Sequence, residues 1–275
     1  MIPAWLAFFD ALIAIALVLL GILGAHYGAF SSIFGFQIFL LAFFIAILGL
    51  ILSVIAVLTT ALSAKRRAGL PRAIVALIIC LIIVVPIANI IASTHKYPPI
   101  NDITTDINHA PEFVHAQQLP GNHGRDLVYD KAKYAAAQTK GYGEVEPLKL
   151  GDPPDVAFQK VEIVAGEIPH WRITYTDPKT RTLEGVATSM LFHFKDDFVI
   201  VVLPQGDQAP AGPGLSGAAA NAPAASSGSL VEMRSKSRDG IGDLGVNYRR
   251  IKSFFHTLEV HQHGTEPVTV PGGPG

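Results

Sequence analysis

Three apolar runs near the start of the chain constrain the fold more than any other feature: about Leu6 to Ala25, Ile33 to Leu62 and Ala73 to Ala92. Each reaches the roughly 20 residues an α-helix needs to cross a bilayer, so each is expected to be a transmembrane helix. The second run exceeds that length and is expected to tilt or project, and Pro86 predicts a kink in the third. The first lacks the basic start and small-residue cleavage site of a signal peptide and is expected to be retained. Residues 1 to 94 carry only five charged side chains, Asp10, Lys65, Arg66, Arg67 and Arg72. The last four share one short connection, which the positive-inside rule places in the cytoplasm. Counting outward from it puts the N-terminus in the cytoplasm and everything after Ser93 on the far side. Asp10, a few residues inside Trp5, is expected to snorkel to the headgroup level, because no basic membrane partner is available to it. Gly24 with Gly28, and Ala42 with Ala46, are small-xxx-small pairs of the kind that let helices approach closely.

The remaining charges crowd into the second half, so the net charge of -1 conceals a lipid-soluble region and a water-soluble one. A neutral total excludes the basic excess that a nucleic-acid partner requires. Cys80 is the only cysteine and lies in an apolar run, which excludes an intrachain disulfide and a multi-cysteine metal site. The division is therefore a three-helix transmembrane domain over residues 1–94 and an extracytoplasmic domain over residues 95–275.

His95 to Pro120 reads as an extended arm, because Pro98, Pro99 and Pro111 restrict its backbone. Asp126 is expected to cap a helix running to about Lys140 and ended by Gly141 and Gly143. Pro153 and Pro154 open a second helix, with Val156, Val161, Ile163 and Val164 as its apolar residues, to about Gly166. From Trp171 the period becomes two: WRITYT, LEGVATSMLFHF, FVIVVL and LVEMRSKSR predict four strands in an antiparallel meander. Phe198 to Leu203 is apolar on both faces, so it is expected to be a central strand covered on each side, largely by helices. The fold class is thus three transmembrane helices followed by a soluble α+β domain with a four-stranded meander. A Gly/Ala/Pro-rich insert at about residues 205–229 separates the last two strands; its composition is that of a disordered loop, and if it is ordered, docking onto another subunit is the expected cause.

The stretch Leu230 to Leu258 concentrates the chemistry. Alternation puts Val231 and Met233 on one side of the strand and Glu232, Arg234, Lys236 and Arg238 on the other. Asp243 is placed to cap a helix with apolar Leu244, Tyr248, Ile251, Phe255 and Leu258. Together with INDITTD at Ile100–Asp106 and FKDDFVIVV at Phe194–Val202, the motif RSKSRDGIGDLGVNYRRI at Arg234–Ile251 resembles the bacterial and plastid domain of unknown function 1499. Arg234, Ser235, Ser237, Arg238, Gly240, Asp243, Gly245, Asn247, Arg250 and Ile251 carry the match; Gly242 and Ala110 depart from the usual residues. The resemblance implies frequent coupling to a few N-terminal membrane helices and brings no established reaction.

Gly240, Gly242 and Gly245 spell G-x-G-x-x-G between a strand and a helix, yet an antiparallel sheet and the short chain beyond leave no βαβ unit to close a dinucleotide site. Gly212, Gly214 and Gly217 repeat the spacing in low-complexity sequence with no helix after it. Asp102, Asp106, Arg234, Arg238, Asp243, Asn247 and Arg250 are read as a structural or anion-binding network, with Arg238 and Arg250 fastening Asp102 or Asp106 of the arm. His256, His261 and His263 fall on a helix end and tail, where a solvated tail is the expectation rather than a metal site; His109, His115 and His123 are scattered through loops. Ser235 and Ser237 have no histidine in fixed relation to them, and no H-E-x-x-H or G-x-S-x-G is present. No catalytic constellation, cofactor or metal is therefore expected. The expectation is a non-catalytic accessory or assembly subunit of a larger membrane complex, such as a respiratory or photosynthetic one, in the bacterial inner membrane. Its partners would be other membrane-protein subunits and lipid, with no nucleic acid. The alternative is a periplasmic-side module that binds or transfers a lipid or anionic amphiphile through a pocket with Arg238 and Arg250 at its polar end.

Overall fold

A computed structural model describes residues 2–62, 64–94, 96–206 and 228–262, which form two compact units. One comprises Met1–His95 with Met190–His193, and the other Lys96–Ser189 with Phe194–Gly275. The low-complexity insert, the C-terminal tail with His263, and Gly212, Gly214 and Gly217 lie outside the described residues.

The first unit holds helices α1 (Ile2–His26), α2 (Ser32–Ala61) and α3 (Leu70–Thr94), all long and apolar enough to cross a membrane. Ser31 caps α2 by accepting the Phe34 N–H at 3.3 Å. Packing is by small residues: Ala4, Ala7, Ala11 and Ala14 of α1, Ala42, Ala46 and Gly49 of α2, and Ala73, Ala76 and Cys80 of α3 are buried. Large apolar side chains such as Phe9, Phe44 and Ile82 face outward. This inversion suits a lipid solvent, in which burying leucine gains nothing and close backbone approach gains van der Waals contact.

Two expectations are corrected here. Gly24 and Gly28 do not pair across helices. A Cβ at Gly24 would collide with the Phe30 ring, and Gly28, at φ +74°, lies in the turn beyond α1; the close α1–α2 approach is instead at Gly21 and Gly35. Asp10 does not snorkel outward. Its carboxylate and the Cys80 thiol both face Gly49, where a Cβ would collide with Asp10 Oδ2, and that oxygen is buried with no hydrogen-bond partner among the described residues. Gly49 supplies the space that makes the inward rotamer possible.

The second unit is an antiparallel sheet of six strands with helices on one side. In chain order its elements are β1 (Asp102–Thr104), α4 (Lys131–Tyr142), β2 (Leu148–Leu150), α5 (Pro154–Glu167), β3 (Trp171–Asp177), β4 (Thr182–Thr188), β5 (Lys195–Pro204), β6 (Ser229–Ser237) and α6 (Val246–Gln262). The meander β3–β4–β5–β6 forms as the alternation predicts, and β1 and β2 add to β6 at Arg234–Lys236 and Ser229–Val231. The β4 strand stops at Thr188, short of the expected Phe194, because the Ser189 N–H donates to Phe194 O at 2.8 Å and the Phe194 N–H to Ser189 Oγ at 3.0 Å, closing a turn into β5.

Local signals explain most boundaries and misplace a few. Asp130, not Asp126, caps α4 by accepting the Lys133 N–H at 3.0 Å, while Asp126 holds a turn through the Val128 N–H at 2.9 Å. Gly143, at φ +70°, ends that helix. In α5 the buried stripe is Ala157, Phe158, Val161 and Val164, and Val156 and Ile163 face out. Leu244, at φ +53°, precedes α6 rather than joining its stripe, and Phe254 takes the place beside Ile251, Phe255 and Leu258.

The two faces of the sheet differ in kind. One carries Ile103, Leu183, Phe198, Ile200, Val231 and Met233 against α5 and α6, with the Trp171 ring 4.1 Å from that of Phe198. The other carries Asp102, Glu184, Asp197, Arg234 and Lys236 beside a small apolar patch of Val199, Val201 and Leu203. Its cover is the arm between β1 and α4, with two 3-10 turns at Ala116–Gln118 and Pro120–Asn122, rather than helices. A charged strand face suits that cover, because an irregular backbone brings free N–H and C=O groups that buried charges can satisfy.

Candidate functional site

The charged face is built from two aspartates, Asp102 and Asp197, and the cations that reach them. Asp102 on β1 lies opposite Lys236 in the register with β6. It accepts Arg234 Nε at 2.9 Å and Nη2 at 2.8 Å in a two-pronged pair, and Lys236 Nζ at 3.0 Å. Arg234 is fully buried and spends its remaining donors on the carbonyls of Pro111 (3.2 Å) and Leu127 (2.8 Å). The rings of Phe113 and Tyr129 lie 4.9 and 5.3 Å from its guanidinium carbon. Burial and the Asp102 charge both raise the Tyr129 hydroxyl above its usual range, so the phenol stays neutral.

Asp197 on β5 receives Arg238 through Nε and through Nη2 at 2.6 Å, and Arg125 Nη1 at 3.1 Å. Gly121 seats Arg238, since a Cβ there would collide with its Nη1. The neighbouring Asp196 points to the opposite face and pairs with Arg250 of α6. Arg250 also donates to Ser235 Oγ at 2.9 Å, Ser235 donates to Asn247 Oδ1 at 2.8 Å, and Asn247 Nδ2 donates to Ser237 Oγ at 2.9 Å. The Ser235 hydroxyl is thus held by the Asn247 amide and the Arg250 guanidinium, and that of Ser237 by the Asn247 amide.

The expected network is therefore divided. Arg234, Arg238, Asn247 and Arg250 all sit in it, but Arg238 and Arg250 hold Asp197 and Asp196 instead of the arm's Asp102 or Asp106. Register decides this: Asp197 lies opposite Lys236 and Asp196 opposite Ser237, one residue from Arg238. Asp106 instead caps its own turn, accepting the N–H groups of Asn108 (2.7 Å) and His109 (2.9 Å). Asp243 accepts the N–H groups of Gly245 (2.9 Å) and Asn247 (2.7 Å) at the start of α6; burial pushes its carboxyl up, and those bonds oppose the shift. Glu184 was not among the expected residues. It takes the N–H groups of Val114, His115 (3.0 Å) and Ala116 (2.7 Å), and burial again raises its carboxyl. The signal was present, as an acid inside an otherwise apolar strand, and pointed to a buried partner.

The glycines of the second G-x-G-x-x-G serve close packing. A Cβ at Gly242 would lie 3.1 Å from Pro99 and one at Gly245 2.7 Å from the Tyr97 ring, while the ring of Pro98 fills the place of a Cβ at Gly141. The Asn101 amide donates to Gly240 O at 2.7 Å and the Asp243 N–H to Ile100 O at 3.1 Å. The stretch Tyr97–Asn101 is thereby clamped between the end of α4 and the start of α6. Among the described residues no group of three His, Cys, Asp or Glu side chains is placed to hold a metal ion. A cleft of about 220 Å³ opens beside the arm, and Asp106, Glu144 and Glu146 line it.

Residues 102–258, more than half of the chain, match the family described as Protein of unknown function (DUF1499). No curated protein and no solved structure matches the chain.

Proposed function

The chain belongs to the DUF1499 family, and from that premise we propose that it is a non-catalytic, membrane-anchored accessory or assembly subunit of a larger membrane complex. The observation that carries this reading is the closure of the buried charge network. Asp102, Asp196 and Asp197 are each matched by cations of the same fold, and Ser235 and Ser237 are occupied by Asn247 and Arg250. A site that turns over a substrate keeps a nucleophile, base or cation available to it; here these groups are spent on holding the domain together.

The reading includes a bacterial inner membrane, with the N-terminus cytoplasmic and the second unit periplasmic, supported by the cationic connection Lys65–Arg72. The lipid or anionic-amphiphile module has less support. Its two guanidiniums have aspartate partners, and the cleft beside the arm is acidic and repels an anionic headgroup. Extraction in a mild detergent followed by mass measurement tests the proposal. A species heavier than the monomer, with other subunits present, is expected; a clean monomer overturns it.

A further inference from the structure

The turn between β6 and α6 presents an apolar tip that the clamp leaves uncovered. Ile241 is 80% exposed, Leu244 44% and Val246 40%. A soluble surface gains nothing from three apolar side chains grouped on one short turn, so the group marks a contact with something apolar. We propose that this tip inserts into the interfacial layer of the same bilayer that holds the three helices, as a lipid-surface anchor of the second unit. The inference rests on the bilayer placement of those helices.

The occupant follows from the chain itself. Gly245 packs on the Tyr97 ring, and Tyr97 is three residues beyond Thr94, the last residue of α3. An extended chain covers at most about 10 Å over three residues, so the covalent link from Thr94 to Tyr97 is short. Exposed Lys96 and Arg249 flank it, and Arg249 lies 5.5 Å over the Tyr97 ring. Tyrosine, lysine and arginine beside an apolar tip are the side-chain types that favour the headgroup boundary. The backbone agrees: the Arg249 guanidinium donates to Leu244 O at 3.1 Å, fixing a left-handed leucine whose side chain turns outward.

The test uses the full chain in phospholipid nanodiscs, open to water on both faces. Ile241→Cys, Leu41→Cys and Ile163→Cys are each labelled with an environment-sensitive fluorophore, and the unsubstituted chain, whose Cys80 is fully buried, is the blank. Leu41 lies outward on α2 and Ile163 outward on α5. The expected result is a blue-shifted label at 241 that spin-labelled lipid quenches, with several-fold less iodide quenching than at 163. A label at 241 as open to iodide as that at 163, with the label at 41 quenched by lipid, overturns the tip proposal alone. Iodide access at both 41 and 241 overturns the bilayer placement and the tip with it. A label at 241 shielded from iodide yet untouched by lipid quencher identifies a protein surface as the occupant and overturns the proposal.

Discussion

Arg234 is the residue on which the charged face depends, because it is fully buried and its charge is answered by one carboxylate and two carbonyls. Removing one member of a buried pair leaves an uncompensated charge, at a cost of about 3–5 kcal/mol, whereas replacing both by apolar groups is often close to neutral. Asp102→Asn is therefore expected to lower the urea midpoint steeply, and the triple variant Asp102→Leu, Arg234→Met and Lys236→Met, which removes both cations with their carboxylate, to recover most of the loss. A single variant as stable as the parent would contradict the buried pairing. Glu184 makes a different prediction. Its carboxyl is raised by burial, so it binds a proton more readily folded than unfolded, and its contribution to stability is full below the unfolded value and lost as pH rises through the folded one. Glu184→Gln removes that slope, and melting curves between acid and neutral pH should show the parent's advantage shrinking as pH rises. The cations on one face of β6 were legible from alternation alone. Their partners were not, because Asp196 and Asp197 are adjacent in sequence, point to opposite faces, and meet Arg250 and Arg238 only through the register between β5 and β6 across the long insert.

Between elements, the glycines mark where segments touch. Gly245 combines φ +80° with the Tyr97 ring 2.7 Å from the place of a Cβ, while Gly242 has an ordinary φ and a looser 3.1 Å approach. Gly245→Ala is expected to loosen the clamp on Tyr97–Asn101 more than Gly242→Ala. The left-handed backbone alone costs a non-glycine residue roughly 1 kcal/mol or more. Amide exchange should then quicken at Ser237 and Asp243, whose N–H groups donate to Asn101 O and Ile100 O, and equal protection in both variants would contradict the clamp. Gly49→Val should likewise lower the detergent melting temperature of the helical unit, since its side chain would displace Asp10 from the bundle. Long periodic elements were readable: the three apolar helices, the four meander strands and the helix after Asp243. The three-residue strands β1 and β2 were not, because they carry no period of their own and exist only as additions to β6. The helix faces slipped for a related reason. Val156 and Ile163 are apolar and helical, yet the contact with β5 selects Ala157, Phe158 and Val161 instead.

At the scale of the molecule, the proposed orientation makes a prediction of its own. Two forces act on it. The short connection between α2 and α3 carries Lys65, Arg66 and Arg67, Arg72 follows in the first turn of α3, and cations so placed resist translocation. Against it stand only Lys96 close after α3 and a large second unit, whose translocation depends little on charge. The turn between α1 and α2 has no lysine or arginine to oppose the bias. Replacing the four cations by glutamine therefore removes the stronger of the two forces, and adding lysines to the Tyr27–Ser31 turn supplies a force in the opposite direction. Protease protection in inverted and right-side-out vesicles reads the outcome. The parent should present its second unit on the outer side only, the four-glutamine variant should divide between both sides, and the variant with added lysines should favour the inner one. Outer presentation in all three would mean that the second unit, not the loop charge, sets the direction in which α3 is inserted.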